Sequence, residues 1–193
     1  MNKRTLTKLE QGEGTTLAGK LLLTRRQRQV LLKWFLYGLL YLLLQVLQDV
    51  IFSRLRVLGG CPDLVPGLIL LVCILQGPAA GGLFALAASV FRCLSGATLG
   101  PVSIVVLTFA GIFLAAFRLA YLRRRFWSSV LCCAAGIMIH QALVFLLGLF
   151  LGSTTLDRWV AALAGGILAC LVCPALYPLV KAIGKIGGET WRE

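Results

Sequence analysis

The chain has 193 residues, a hydrophobic fraction of 59%, a mean hydropathy of +0.91 and a formal net charge of +12. This composition excludes an ordinary soluble domain, and the length leaves no room for a separate soluble enzyme domain beside a bundle of membrane helices. The 19 basic residues lie in short clusters beside apolar spans, without interleaved aromatic side chains that read bases. They therefore indicate topology signals and anchors for anionic lipids, not nucleic-acid binding.

Residues 1–33 are predicted to form a basic cytoplasmic tail, because they are mostly polar and precede the first long apolar run. Within this tail, the apolar stretch 17–23 followed by several arginines predicts a short interfacial amphipathic helix, with a disordered tail as the alternative. The tail contains no short apolar segment with a small-residue cleavage site, so we expect the first membrane helix to direct insertion.

Hydropathy predicts an all-α protein with a membrane domain over residues 34–181, formed by a compact bundle of six transmembrane helices. A short cytoplasmic C-terminal tail follows over residues 182–193. The predicted spans are Trp34–Phe52, Leu64–Gln76, Ala79–Leu94, Leu99–Phe117, Phe126–Leu151 and Trp159–Lys181.

The second and third spans are short, and the alternative is one long tilted helix over residues 64–94 that is interrupted at Gly77 and Pro78. Six crossings put most basic residues on one side, whereas five would move the cluster Arg123–Arg125 to the other side. The positive-inside rule therefore favours six crossings with both termini cytoplasmic.

The second span has too few residues to cross the membrane alone, because about 13 helical residues reach about 20 Å and the hydrocarbon core is about 30 Å thick. We expect either a packed interior position for this helix or a locally thinned membrane. In both cases other groups must satisfy the backbone at the Gly77-Pro78 turn.

Small residues at four-residue spacing mark helix faces that allow close approach in lipid. One stripe runs through Gly81, Ala85 and Ser89 in the third span, and another through Gly165 and Ala169 in the sixth. Packing within the bundle is the first interpretation, and contact with a partner's helix is the alternative.

Ionisable residues inside the predicted spans are few, and they do not converge in the sequence. Asp49 lies near the end of the first span and His140 in the middle of the fifth, where His140 would hydrogen bond a backbone carbonyl or Gln45. Two isolated groups do not form an active site, and Cys170 with Cys173 lacks a second pair of ligands. We predict no catalytic site, no cofactor and no metal.

Polar residues gather at the open ends of the second and third spans. Pro62 and Asp63 are typical of a helix start, with Asp63 positioned to cap free amide groups. Asp63 and Arg92 are predicted to lie on one side of the membrane, which suggests an ion pair between them. A helix stop and restart follow, marked by Ser95, Gly96, Gly100 and Pro101.

In this hairpin the chain resembles the MreD family of bacterial rod-shape-determining membrane proteins. The resemblance lies in Pro62-Asp63, in Gly81-Gly82 and in the sequence Leu-Ser-Gly-Ala-Thr-Leu-Gly over Leu94–Gly100. It covers residues 35–181 in the number and order of spans, is specific over 62–118, and extends to the basic cluster at 123–125. Family members commonly carry an aspartate just before the Leu-Ser-Gly turn, where this chain has Arg92, so a role of that acid does not transfer.

The resemblance implies a non-catalytic scaffold of the cell-elongation machinery in the bacterial plasma membrane. Its implied partner is MreC and, through MreC, the MreB filament and the peptidoglycan synthases. Six short helices also resemble the substrate-binding subunits of energy-coupling vitamin transporters, although the first span has one glycine, Gly38, among bulky residues instead of a small-residue docking stripe. A lipid or polysaccharide flippase accessory is a third possibility.

Overall fold

A computed structural model of the chain describes residues 25–52, 54, 61–96, 100–122 and 126–186. All regular secondary structure in these ranges is helical. The helices are α1 (Arg25–Leu47, extended by a π-helical turn over Gln48–Phe52), α2 (Leu64–Gln76), α3 (Pro78–Leu94), α4 (Val102–Tyr121), α5 (Phe126–Phe150) and α6 (Trp159–Gly184, preceded by a 3-10 turn over Leu156–Arg158).

Four helical segments in the described residues are long and apolar enough to cross a membrane: Gln27–Phe52, Val102–Tyr121, Phe126–Phe150 and Leu156–Gly184. Large apolar side chains such as Phe113 and Leu171 are about 70% exposed on the outside of the bundle (71% and 70%), which suits a surface that faces lipid. The chain is therefore a helical membrane protein, with α2 and α3 as two shorter apolar helices.

Helix α2 occupies the centre of the bundle and contacts each of the other five helices. Every residue of α2 except Leu75 is buried, and the run from Leu68 to Cys73 is 0% exposed. Of the two expectations for this short helix, the structure shows the packed interior position, because neighbouring helices surround it on all sides.

The turn between α2 and α3 brings their backbones into close contact. Gly77 has φ 90° and its amide donates to the carbonyl of Cys73 over 2.8 Å. One turn into α3, a Cβ added to Gly81 would lie 2.5 Å from the Cα of Cys73. A side chain at Gly81 therefore cannot fit without moving α2 from α3.

Two helix starts lie three or more residues away from the sequence prediction. Helix α1 begins at Arg25 instead of Trp34, so the last part of the predicted tail is helical, because arginine, glutamine and lysine are good helix formers. Helix α4 begins at Val102 instead of Leu99, after Gly100 at φ 91° and Pro101, and it continues to Tyr121. The amphipathic segment suggested at 17–23 and the tail beyond residue 186 lie outside the described residues.

Candidate functional site

An ion pair joins α2 and α3 at the end of the hairpin where α2 begins, as the sequence suggested. The Arg92 guanidinium contacts the Asp63 carboxylate through Nη2 and Oδ2. The Arg92 side chain is 9% exposed and that of Asp63 is 26% exposed, so water screens the pair little. Asp63 precedes the first turn of α2 and Arg92 lies in the last turn of α3, where both charges also interact favourably with the helix dipoles.

The predicted capping role of Asp63 is wrong, although Asp63 occupies the N-cap position of α2. Its side chain makes no capping hydrogen bond because it turns to Arg92. Gln48 from the π-helical turn caps α2 instead: its Oε1 accepts from the Leu64 amide over 3.1 Å, and its Nε2 donates to the Pro62 carbonyl over 2.5 Å. The side chain of Gln48 thereby fixes α1 to the start of α2.

Several polar atoms near this ion pair are buried without a hydrogen-bond partner in the described part of the chain. They are Nε and Nη1 of Arg92, Oδ1 of Asp63 and Oε1 of Gln45. Buried polar atoms of this kind normally have a partner, so they mark places where a polar ligand or water fits.

His140 reaches the same region from α5. It is 6% exposed, and the charges of Arg92 and Asp63 act on its ring. Within the described ranges it hydrogen bonds neither a backbone carbonyl nor Gln45, which differs from the expectation. Asp49 is exposed in the π-helical turn, and its Oδ2 accepts from Gln45 Nε2 over 3.4 Å.

A second polar network lies at the other end of the hairpin, around Gln76. Lys33 is 2% exposed and donates from Nζ to Gln76 Oε1 over 2.9 Å. Gln76 Nε2 donates to the Tyr37 hydroxyl over 2.6 Å, and that hydroxyl donates to the Val180 carbonyl over 3.1 Å. This chain of hydrogen bonds joins α1, α2 and α6.

Backbone carbonyls near the buried turn also have hydrogen-bond partners, as buried backbone groups require. Arg118 of α4 donates from Nη1 to the Ile74 carbonyl over 2.6 Å. The Cys73 thiol donates to the Gly81 carbonyl over 3.1 Å. Side chains of α2 and α4 thus satisfy these carbonyls, a role that the sequence analysis expected other groups to fill.

The helix stop predicted after α3 is present. Helix α3 ends at Leu94, Ser95 Oγ donates to the Arg92 carbonyl over 2.8 Å, and Gly96 takes φ 74°. Gly100 has φ 91° before α4 begins, a conformation that glycine adopts without a steric penalty. The hydrogen bond from Ser95 thereby fixes the backbone at the end of α3, where Arg92 lies.

Both small-residue stripes pack inside the bundle. Ala85 and Ser89 of α3 are buried, and the Ser89 hydroxyl lies 3.3 Å from that of Thr108 in α4. In α6, Gly165 and Ala169 are buried, and a Cβ on Gly165 would lie 2.8 Å from the Cys61 carbonyl oxygen. These faces are used for contacts within the chain.

A lipid-facing groove of about 780 Å³ runs between α1 and α3. We call it the α1–α3 groove. Its walls include Trp34, Gly38 and Tyr41 from α1 and Ala80, Phe84 and Ala88 from α3. A Cβ added to Gly38 would have no heavy atom within 4 Å, so the groove is open at this point. A second apolar groove of about 700 Å³ lies between α4 and α5, lined by residues such as Phe109, Phe113 and Ile139.

The structural roles of Lys33, Tyr37 and Gln48 were not predicted from the sequence. A signal was available, because Lys33, Tyr37 and Tyr41 recur every four residues and mark one face of α1. That face is buried against α2 and the neighbouring helices, with the Tyr41 hydroxyl donating to the Ala88 carbonyl over 3.0 Å.

Within the described ranges, no three His, Cys, Asp or Glu residues are grouped so that they would hold a metal ion. Compared with known proteins, the chain matches no family model, no curated protein and no solved structure.

Proposed function

We propose that the chain is a non-catalytic scaffold of the bacterial cell-elongation machinery, similar to MreD, which crosses the plasma membrane six times with both termini in the cytoplasm. The residues that carry the resemblance lie directly before α2, within α3 and directly after α3 in the sequence. The hairpin includes α2, which contacts each of the other five helices. In this proposal the hairpin organises the helices whose outer faces meet partners.

The observation that carries the proposal is the position of α2. A subunit that binds a small molecule inside the bundle needs space between its helices. Here the centre is filled by the leucine, isoleucine and valine side chains of α2, which are 0–2% exposed from Leu64 to Ile74. A solid centre favours a protein that acts through its surface, as a scaffold does, over a substrate-binding transport subunit.

The proposed partner is MreC and, through it, the MreB filament and peptidoglycan synthases. Copurification from membranes of a rod-forming host tests this association, with the tagged full-length chain as bait and an equally tagged multi-pass protein of the same host as control. We expect enrichment of MreC over the control and rounded cells on depletion. Equal MreC recovery from both baits, or depleted cells that keep their rod shape and lose uptake of one metabolite, would contradict the scaffold role.

The six-span topology has its own test, which uses single cysteines and a membrane-impermeant maleimide on intact cells. Three exposed positions are used: Cys61 before α2, Ser153→Cys between α5 and α6, and Lys185→Cys directly after α6. Six crossings predict labelling at 61 and 153 from outside and at 185 only after permeabilisation. Protection at 153 in intact cells would contradict six crossings, because that loop would then lie on the cytoplasmic side.

A further inference from the structure

Three helices, α1, α3 and α4, end close to the start of α2, which we call the Asp63 end of the bundle. On α3, Arg92 pairs with Asp63, and the helix ends two residues later at Leu94. The π-helical turn of α1 bonds the backbone on both sides of Asp63. Helix α4 runs antiparallel to α3, and the contact between Ser89 and Thr108 is nearly equally far from the end of α3 and from the start of α4. The three helices therefore end at about the same height.

Helices α5 and α6 continue past this height. A Cβ on Gly165 of α6 would lie 2.8 Å from the Cys61 carbonyl oxygen, just before α2, and 3.9 Å from Gln141 Nε2 of α5. From this level α5 runs on for nine residues, and α6 begins six residues earlier in the chain. At a rise of about 1.5 Å per helical residue, the two helices extend about 9–14 Å beyond the others. We call residues 142–164 the α5–α6 extension.

The α5–α6 extension is apolar on its outside. The sequence has no Lys, Arg, Asp or Glu from position 126 to 156, and the first charges are Asp157 and Arg158 at the tip. Large side chains of the extension such as Phe150 and Trp159 are exposed. Such a surface is unfavourable in water and matches the hydrocarbon of a bilayer. The membrane surface beside α5 and α6 therefore belongs near the tip of the extension.

Beside α3 the membrane surface belongs at a lower height. The exposed apolar face of α3 runs from Leu83 to Leu94 and ends with the helix. A turn follows at Ser95 and Gly96, and irregular backbone does not occur where lipid tails surround it. The 17 residues of α3 span about 25 Å, whereas the 25 residues of α5 span about 37 Å. The two helices thus match bilayers of different thickness.

We propose that the protein thins the surrounding bilayer beside α3 and α4, so that the membrane surface at the Asp63 end falls by about 10 Å from the α5–α6 extension to the end of α3. A flat bilayer would either cover the turn after α3 with hydrocarbon or leave the extension in water. Bilayers adapt to apolar helices of unequal length by changing their local thickness. Helix α2 is enclosed by protein, so its shortness does not act on the lipid. The inference concerns lipid alone and does not depend on the proposed scaffold role.

Depth-dependent quenching of tryptophan fluorescence tests this proposal in vesicles of phosphatidylcholine brominated near the headgroup, in the middle or at the end of the acyl chains. The full-length chain, with its four tryptophans replaced by phenylalanine, carries one reporter at a time. Leu94→Trp reports the end of α3, Leu163→Trp reports about the same height on α6, and Phe150→Trp reports the end of α5; all three positions are exposed. Phe91→Trp, on the same face of α3, is a second reporter there. Equal melting temperatures in detergent establish that each variant is folded.

We expect Leu94→Trp and Phe150→Trp to lie at the same shallow depth, although they differ in height along the bundle. Leu163→Trp should lie about 6 Å deeper than both, because four residues of α6 separate it from the helix start. Equal depths at positions 94 and 163 would overturn the proposal, since they indicate a flat bilayer. So would a Phe150→Trp variant that no brominated lipid quenches, which would place the extension in water and assign it to a partner protein.

A matched pair at the other end of the bundle separates thinning from a rigid tilt of the whole protein. Leu83 of α3 and Leu179 of α6 are both exposed, and each lies five residues from the end of its helix. Thinning at the Asp63 end leaves Leu83→Trp and Leu179→Trp at equal depth. A tilt that made Leu94→Trp shallow would make Leu83→Trp deeper than Leu179→Trp by a similar amount, and that result would overturn the proposal.

Discussion

The ion pair between Asp63 and Arg92 predicts an asymmetric response to neutralising either charge. Asp63→Asn leaves the guanidinium of Arg92 buried without its carboxylate, and Arg92 is the less exposed partner, with 9% of its side chain accessible against 26% for Asp63. Removing one partner of a buried pair costs about 3–5 kcal/mol. We therefore expect Asp63→Asn to lower the free energy of unfolding by about 3 kcal/mol.

Arg92→Gln should cost less. Without Arg92, the Asp63 carboxylate can turn to water, because about a quarter of its side chain is already accessible. It also still lies at the start of α2, where the helix dipole stabilises its charge by about 0.3–1 kcal/mol. We expect a loss of about 1.5–2 kcal/mol, which is the lower end of the range for one hydrogen bond to a charged group. The double variant should resemble Arg92→Gln alone, because no uncompensated charge is left.

Reversible unfolding in mixed micelles measures all four proteins of this double-mutant cycle. The expected coupling energy is about 3 kcal/mol, the full effect of Asp63→Asn, which is well above the ~0.5 kcal/mol scatter of independent sites. Reversing both charges should recover only part of the stability, since arginine would then lie at the start of α2 and aspartate at the end of α3, against both dipoles. Additive single effects, or a larger loss from Arg92→Gln than from Asp63→Asn, would refute this account of the pair.

Two further predictions concern the packing of the hairpin. Gly81→Ala should destabilise the protein by about 1–3 kcal/mol, because the added Cβ would meet the Cys73 backbone. Gly38→Ala, whose Cβ would meet no other atom, should be neutral or stabilising by up to about 1 kcal/mol. Thermal melting in detergent compares the two variants, and equal effects would contradict the close contact at Gly81. Gln76→Leu should cost about 1.5–3 kcal/mol, because it removes the hydrogen-bond acceptor of the buried Lys33 ammonium, which keeps only its contact with the Trp34 ring. Adding Lys33→Met to the same chain should recover most of this loss, and a double variant that does not recover would indicate a packing defect.

Much of the fold follows from the sequence because its signals are local. The bounds of α2 match the prediction from Leu64 to Gln76, and its central position follows from a helix that is apolar on every face yet too short to span alone. The start of α1 was missed because hydropathy assigns charged residues to a tail, whereas Lys33 is buried through a single hydrogen bond to Gln76 in α2. The residues around Lys33 in the sequence do not show that Gln76, 43 positions later, is its partner.

The candidate site also has features that were predictable from the sequence and features that were not. The pairing of Asp63 with Arg92 was predictable because both are charges at adjacent helix ends on one predicted side of the membrane. Capping of α2 by Gln48 was not predictable from the sequence. A capping residue is normally expected next to the helix start, whereas Gln48 reaches α2 from another helix. The groove beside Gly38 likewise depends on the separation of α1 and α3, which spacing along the chain does not encode.

The complete enclosure of α2 has a consequence for biogenesis. Of the described helices α2 is the second in chain order, and it contacts α4, α5 and α6, all of which are synthesised later. Until they arrive, the polar turn at Gln76 and Gly77 would lie within hydrocarbon with its hydrogen bonds to Arg118 and, through Tyr37, to Val180 unmade. Chains that stop before α6 should therefore be recognised as unassembled and degraded, and the centre of this bundle closes only when the last helix has been inserted.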